Sequence, residues 1–75
     1  MTQEAPTRPP VRRVILDLLA EHGSVTDALL VAATHAETDA APHLIRETLD
    51  RMDRHGTIYN ATGDETRPRW KATRL

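Results

Sequence analysis

Cysteine is absent from this 75-residue chain, which excludes a disulfide framework and a thiolate zinc site. The aromatic residues are one Trp and one Tyr, too few for a surface that stacks against the bases of single-stranded nucleic acid. No stretch approaches the roughly 20 apolar residues of a membrane span, and the first ten residues lack the apolar run of a signal peptide. We therefore expect a soluble cytoplasmic protein without a membrane partner.

The residue patterns of enzymes and metal sites are also missing. A chain this short buries only roughly 60% of its unfolded surface, which leaves little room for a catalytic cleft. No nucleophile–base arrangement or glycine-rich phosphate loop is present. His22 and His55 are explained as helix-end residues, while His35 and His43 lack the spacing and acidic partner of a zinc helix. We expect no catalytic residue, no metal ligand and no cofactor.

The charges are unevenly distributed although the formal net charge is only −1. Residues 21–40 contain four acids and no Lys or Arg, whereas residues 66–75 contain four cations and no acid. Residues 1–9 are polar, contain two prolines and show no apolar period, so we expect a disordered arm. The folded domain is expected over residues 10–75.

Apolar residues that recur every three or four positions predict three helices, over residues 10–22, 27–36 and 41–55. Thr26 suits the N-cap of the second helix. A His-Gly pair follows both the first and the third helix, and Gly supplies the left-handed residue that ends a helix. Asp39 is expected to cap the start of the third helix.

The period changes to two after the third helix, which indicates β-structure. Residues 57–60 are β-branched and aromatic, typical of a strand, and residues 61–66 contain the Gly-Asp pair of a turn. From 67 to 73, cations alternate with Trp70 and its neighbours. This alternation predicts the second strand of a hairpin, with Trp70 inward and the cations outward.

A small hydrophobic core is expected where the inner sides of these elements meet. The predicted core residues are Ile15, Leu18, Leu29, Ile45, Leu49, Met52, Ile58 and Trp70. The fold class that follows is α+β, with a three-helix bundle and a C-terminal β-hairpin.

This order of elements resembles the winged helix-turn-helix family over residues 10–75. The likeness is carried by residues 49–59 (LDRMDRHGTIY) and 67–71 (RPRWK), and it extends to small archaeal transcription regulators and to the small C-terminal winged helices of archaeal replicative helicases. The Pro-x-Trp motif is also similar to that of winged helices that bind Z-form nucleic acid. Those proteins carry Asn and Tyr where this chain has Arg46 and Asp50, so Z-form recognition is not expected.

The resemblance implies a duplex DNA-binding protein, a small transcriptional regulator with its third helix in the major groove and a basic wing on phosphates. The contacts carried onto this sequence are His43, Arg46, Glu47, Arg51 and Arg54 on the third helix, Arg67, Arg69 and Lys71 on the wing, and Arg12 and Arg13 on the first helix. Many such domains bind as dimers because one helix contacts few bases. A homodimer is therefore a candidate assembly.

A second interpretation stays open. Glu47 and Asp50 have the spacing to pair with Arg51 and Arg54, four residues later, which would leave a neutralised helix surface. Cations on the second strand could instead protect a sheet edge from aggregation. Together with the acidic segment, these features suit a protein-interaction module in a replication or transcription assembly.

Overall fold

The computed structural model describes residues 9–73. Its elements, in chain order, are α1 (Val11–His22), β1 (Val25–Thr26), α2 (Asp27–Thr38), α3 (Pro42–Arg54), β2 (Ile58–Asn60) and β3 (Arg69–Ala72). The predicted disordered arm lies outside the described residues except for Pro9, and so do the last two residues of the predicted domain.

The strands form one antiparallel sheet in the order β1-β3-β2. The predicted hairpin is therefore present, with Asn60 opposite Trp70. β1 was not predicted, because two residues are too short to show an alternating pattern; Val25 of β1 lies opposite Trp70 on the other edge of β3. The α+β class is confirmed, and three helices with this sheet are compatible with a winged-helix-like arrangement.

The helix ends agree with the predicted bounds to within two residues, but one predicted cap is wrong. Thr26 accepts a hydrogen bond from the backbone of Leu29, as expected for an N-cap. Asp39 does not cap α3; it takes the left-handed conformation, with φ of 64°, at the end of α2. The reason is that α2 runs on to Thr38, whose hydroxyl donates to the carbonyl of Thr34 at 2.7 Å.

The core lies between the inner sides of the helices and the inner side of the sheet. Six predicted core residues are buried, namely Ile15, Ile45, Leu49, Met52, Ile58 and Trp70. Leu18 is half-buried and packs against this cluster. Ala72 also faces inward from β3, so the alternation predicted for the returning strand is confirmed.

The assignment of Leu29 to the core is wrong, since 64% of its surface is exposed. Leu30 fills the core at this level of α2 and is fully buried. The inner side of α2 continues through Val31 and Thr34. Because α2 has apolar residues on more than one side, its periodicity could not show which leucine turns inward.

Candidate nucleic-acid interface

All ten residues predicted to contact DNA are exposed. They lie on three surfaces of the fold: Arg12 and Arg13 in the first turn of α1, the α3 residues on the outer side of that helix, and the hairpin cations on β3 and just before it. No hydrogen bond or ion pair within residues 9–73 joins one of these groups to another, and each group has its own polar neighbours.

The cations of the hairpin form the best-defined of these surfaces. Along β3, Trp70 and Ala72 are buried while Arg69 and Lys71 are exposed. Arg67 is exposed just before the strand, and no acid occurs between residues 66 and 73. We call Arg67, Arg69 and Lys71 the cationic face. For Arg69 and Lys71 this placement follows from the alternation of a strand, which puts every second side chain on the same side; Arg67 lies in the segment before the strand.

Arg69 is also anchored within the fold. Its Nε donates to the Oγ of Ser24 at 2.8 Å, and its Cα lies opposite that of Thr26 in β1. This contact places the Arg69 guanidinium beside the link between α1 and α2. Lys71 lies opposite Tyr59 of β2, a residue that is 44% exposed.

Asp27 connects α2, α3 and β3 through a single side chain that is 19% exposed. Its Oδ1 accepts a hydrogen bond from the indole Nε1 of Trp70 at 3.0 Å, and its Oδ2 forms an ion pair with Arg46. Its backbone N–H donates to the carbonyl of Pro68 at 3.0 Å. Sequence reasoning missed this role, because the partners of Asp27 lie 19 and 43 residues away.

The outer side of α3 carries both signs of charge. The predicted pair between Asp50 and Arg54 is formed, and Arg46 is held by Asp27. The predicted pair between Glu47 and Arg51 is not among the ion pairs of residues 9–73. Arg51 is therefore the α3 arginine whose charge is not offset by an ion pair in this part of the chain.

A groove of about 510 Å³ runs between α3 and the hairpin. Its lining residues are Asp50, Asp53, Asn60, Gly63, Glu65, Pro68 and Trp70. Three of them are acids and none is a cation, so we call it the acidic groove; Arg54 offsets the charge of Asp50, whereas Asp53 and Glu65 are in no ion pair within residues 9–73. Its charge repels phosphate, although it lies between the two elements that the family resemblance assigns to DNA. Sequence reasoning missed it because Glu65 meets the α3 acids only in the folded hairpin.

The turn of the hairpin is held by its own polar side chains. Asn60 Oδ1 accepts from the backbone N–H groups of Thr62 and Arg69, each at 3.1 Å, and from the Thr62 hydroxyl at 2.8 Å. The carboxylate of Asp64 accepts from the hydroxyl and the N–H of Thr66, which lowers its pKa. The turn thus presents a stabilised anion rather than a cation.

No protein-family model matches the chain, and comparisons with curated proteins and with solved structures give no significant match. Within residues 9–73, no three His, Asp or Glu side chains come close enough together to hold a metal ion. In the same part of the chain, no helix is long and apolar enough to cross a membrane. The charged surfaces of the fold are therefore the basis for a proposed function.

Proposed function

We propose that this chain is a winged helix that binds duplex DNA and acts as a small transcriptional regulator. The observation that carries the proposal is the cationic face, three exposed cations in an acid-free stretch. Contacts between cations and phosphates supply a large part of the affinity of DNA-binding proteins, independent of base sequence. The order of helices and strands, compatible with a winged helix, adds to this support.

The distribution of charge restricts how a duplex can lie on the molecule. Phosphates are attracted to the cationic face and repelled by the acidic groove, so we expect the DNA backbone to meet the hairpin at the cationic face and not in the groove. On α3, Arg51 and His43 are exposed and supply the side chains for base or phosphate contacts. Arg46 contributes only if phosphate replaces the carboxylate of Asp27.

The test is fluorescence anisotropy of a labelled random-sequence duplex at several salt concentrations. The wild type is compared with the variant Arg67→Ala/Lys71→Ala, which keeps Arg69 because that residue also holds Ser24. We expect the wild type to lose affinity steeply with salt. The slope of log K against log salt should be shallower by about 1.8 in the variant, at about 0.9 per lost phosphate contact.

A charge-matched variant, Arg12→Ala/Arg13→Ala, removes the same two charges from the predicted contacts of α1. Neighbouring helix residues point about 100° apart, so we expect one of the two to reach a phosphate, and the slope should change by about 0.9, half the change of the hairpin variant. Equal slopes for the wild type and Arg67→Ala/Lys71→Ala would overturn the phosphate role of the cationic face. A wild type that does not bind duplex DNA at low salt would overturn the proposed function.

The acidic groove supports a second candidate, a module that binds a basic segment of another protein. Its carboxylates line a cleft beside Trp70, and opposite charges increase both the rate and the specificity of association. An arginine-rich peptide is the probe. The variant Asp53→Asn/Glu65→Gln should weaken its binding, whereas the charge-matched Asp17→Asn/Glu21→Gln on α1 should not. Equal loss of peptide affinity in both variants would show that the groove does not bind the peptide.

A further inference from the structure

Helix α2 is apolar on two opposite sides. Its inner side packs into the core through Leu30, Val31, Thr34 and Thr38. Its outer side carries Leu29, Ala32, Ala33 and Ala36, spaced i, i+3, i+4 and i+7, which places them in one stripe. Leu29, Ala32 and Ala36 are exposed. We call these four residues the apolar face; in a surface helix the side away from the core is normally polar.

A groove of about 290 Å³ adjoins the apolar face. Its apolar lining comes from Leu18 of α1, Val25 of β1, and Leu29 and Ala33 of α2. The guanidinium of Arg69 stands at its edge, fixed by the hydrogen bond to Ser24. The outer surface of α2 thus combines an exposed leucine, an apolar groove next to it and a row of alanines.

We propose that a second copy of this chain covers the apolar face, with the two α2 helices packed antiparallel across a twofold axis. Small side chains let two helices approach closely, and a twofold axis brings the same patch of both copies together. An axis between Ala32 and Ala33 places Leu29 of each copy against Ala36 of the other. Each Leu29 then packs on the alanines of its partner, and Ala33, which lines the groove of each copy, lies next to the axis.

Charge complementarity favours a second copy over an unrelated partner. Helix α2 contains no Lys or Arg. Its carboxyl end carries the exposed Glu37, while Arg69 lies beside its amino end, opposite Thr26. The antiparallel arrangement brings Glu37 of one copy next to Arg69 of the other, and symmetry forms this contact twice. This inference does not rest on DNA binding.

The test is the molar mass in solution without DNA, measured by sedimentation equilibrium over a range of concentrations. The wild type should approach twice the 8.4 kDa chain mass. Leu29→Arg should raise the dimer Kd by about 30-fold or more, as expected for a residue that inserts into a partner. The control is Leu44→Arg, which changes a leucine of α3 that is 47% exposed and outside the apolar face; it should leave the Kd unchanged.

A charge exchange tests the orientation of the two copies. Arg69→Glu and Glu37→Arg should each weaken the dimer, and the double variant should restore it in part, because the pair is re-formed with opposite signs while the hydrogen bond from Arg69 to Ser24 stays lost. Circular dichroism establishes that each variant remains folded. A wild type that stays monomeric up to about 1 mM, where even weak specific association is detectable, would overturn the proposal. The proposal would also be overturned if Leu44→Arg raised the dimer Kd as much as Leu29→Arg. A double variant with a higher dimer Kd than both single variants would overturn it as well.

Discussion

The two sides of strand β3 differ in charge, burial and role. Trp70 faces inward, where the indole N–H bonds to Asp27 and the neighbouring groove is lined by acids. Arg69 and Lys71 face outward in a stretch without acids. The formal net charge of −1 therefore describes neither side of this strand.

One carboxylate on the inner side, that of Asp27, has a structural role. A buried indole N–H needs an acceptor, since an unpaired polar group in the interior costs about 1–3 kcal/mol. Asp27 supplies that acceptor and at the same time pairs with Arg46. The outer side of β3 has no buried polar group that needs a partner, so its exposed cations can contact solvent or a binding partner. The inner side is thus expected to determine stability and the outer side to determine binding.

The largest predicted effect comes from exchanging the aromatic residues of the two sides for alanine. Trp70→Ala should lower the free energy of unfolding by about 3–5 kcal/mol, because it leaves a cavity in the core. Tyr59→Ala, at an exposed position of β2, should change it by no more than about 0.5 kcal/mol. Chemical denaturation measures both. Similar losses for the two variants would contradict the assignment of an inner and an outer side.

A smaller effect is predicted for the acceptor of the indole. Asp27→Ala leaves the Trp70 N–H and the Arg46 guanidinium without their partner, at a cost of about 1–3 kcal/mol. Asp27→Asn keeps an oxygen for the indole but loses the ion pair, so its unfolding free energy should fall between that of Asp27→Ala and the wild type. Asp17→Ala, at an exposed position of α1, is the control. An Asp27→Ala protein as stable as this control would show that the contacts of Asp27 with Trp70 and Arg46 contribute nothing to the free energy of unfolding.

The smallest predicted effect concerns the turn that joins the two strands. The Thr66 hydroxyl and N–H hold the pKa of Asp64 below its ordinary value, so the folded state favours the carboxylate. This contribution is present above the pKa that Asp64 has in the unfolded chain, and it is lost as the pH falls through the lower folded-state pKa. In an NMR titration, Thr66→Val should raise the pKa of Asp64.

The matched control for that titration is Thr62→Val. Thr62 accepts from the backbone N–H of Asp64 through its hydroxyl and makes no hydrogen bond to the carboxylate. This variant should therefore leave the pKa of Asp64 close to its wild-type position. An equal rise in both variants would indicate that loosening of the whole turn, rather than the Thr66 hydroxyl, sets the pKa.

Local patterns in the sequence were sufficient to predict most of the fold. Helical spacing located all three helices, and the alternation around Trp70 predicted the two sides of β3. The pattern was ambiguous on α2, where Leu29 and Leu30 are both apolar and only packing selects Leu30. β1 is too short to have a pattern of its own.

The site was less predictable because it depends on contacts between distant residues. The pair between Asp50 and Arg54 could be predicted, since its partners lie one helical turn apart. The contacts of Asp27 with Arg46 and Trp70 join residues far apart in the chain, and no local pattern indicates them. The acidic groove likewise exists only once the hairpin folds beside α3.

The difference between the two sides of β3 is tested most directly by measuring duplex DNA affinity at several salt concentrations for two double variants. One variant removes two cations and the other removes two acids. Arg67→Ala/Lys71→Ala should weaken binding and flatten the slope by about 1.8. Asp53→Asn/Glu65→Gln should tighten binding more than Asp17→Asn/Glu21→Gln, which removes the same charge from α1. Wild-type affinity and slope in the first variant, or equal tightening in the two acid variants, would contradict the account.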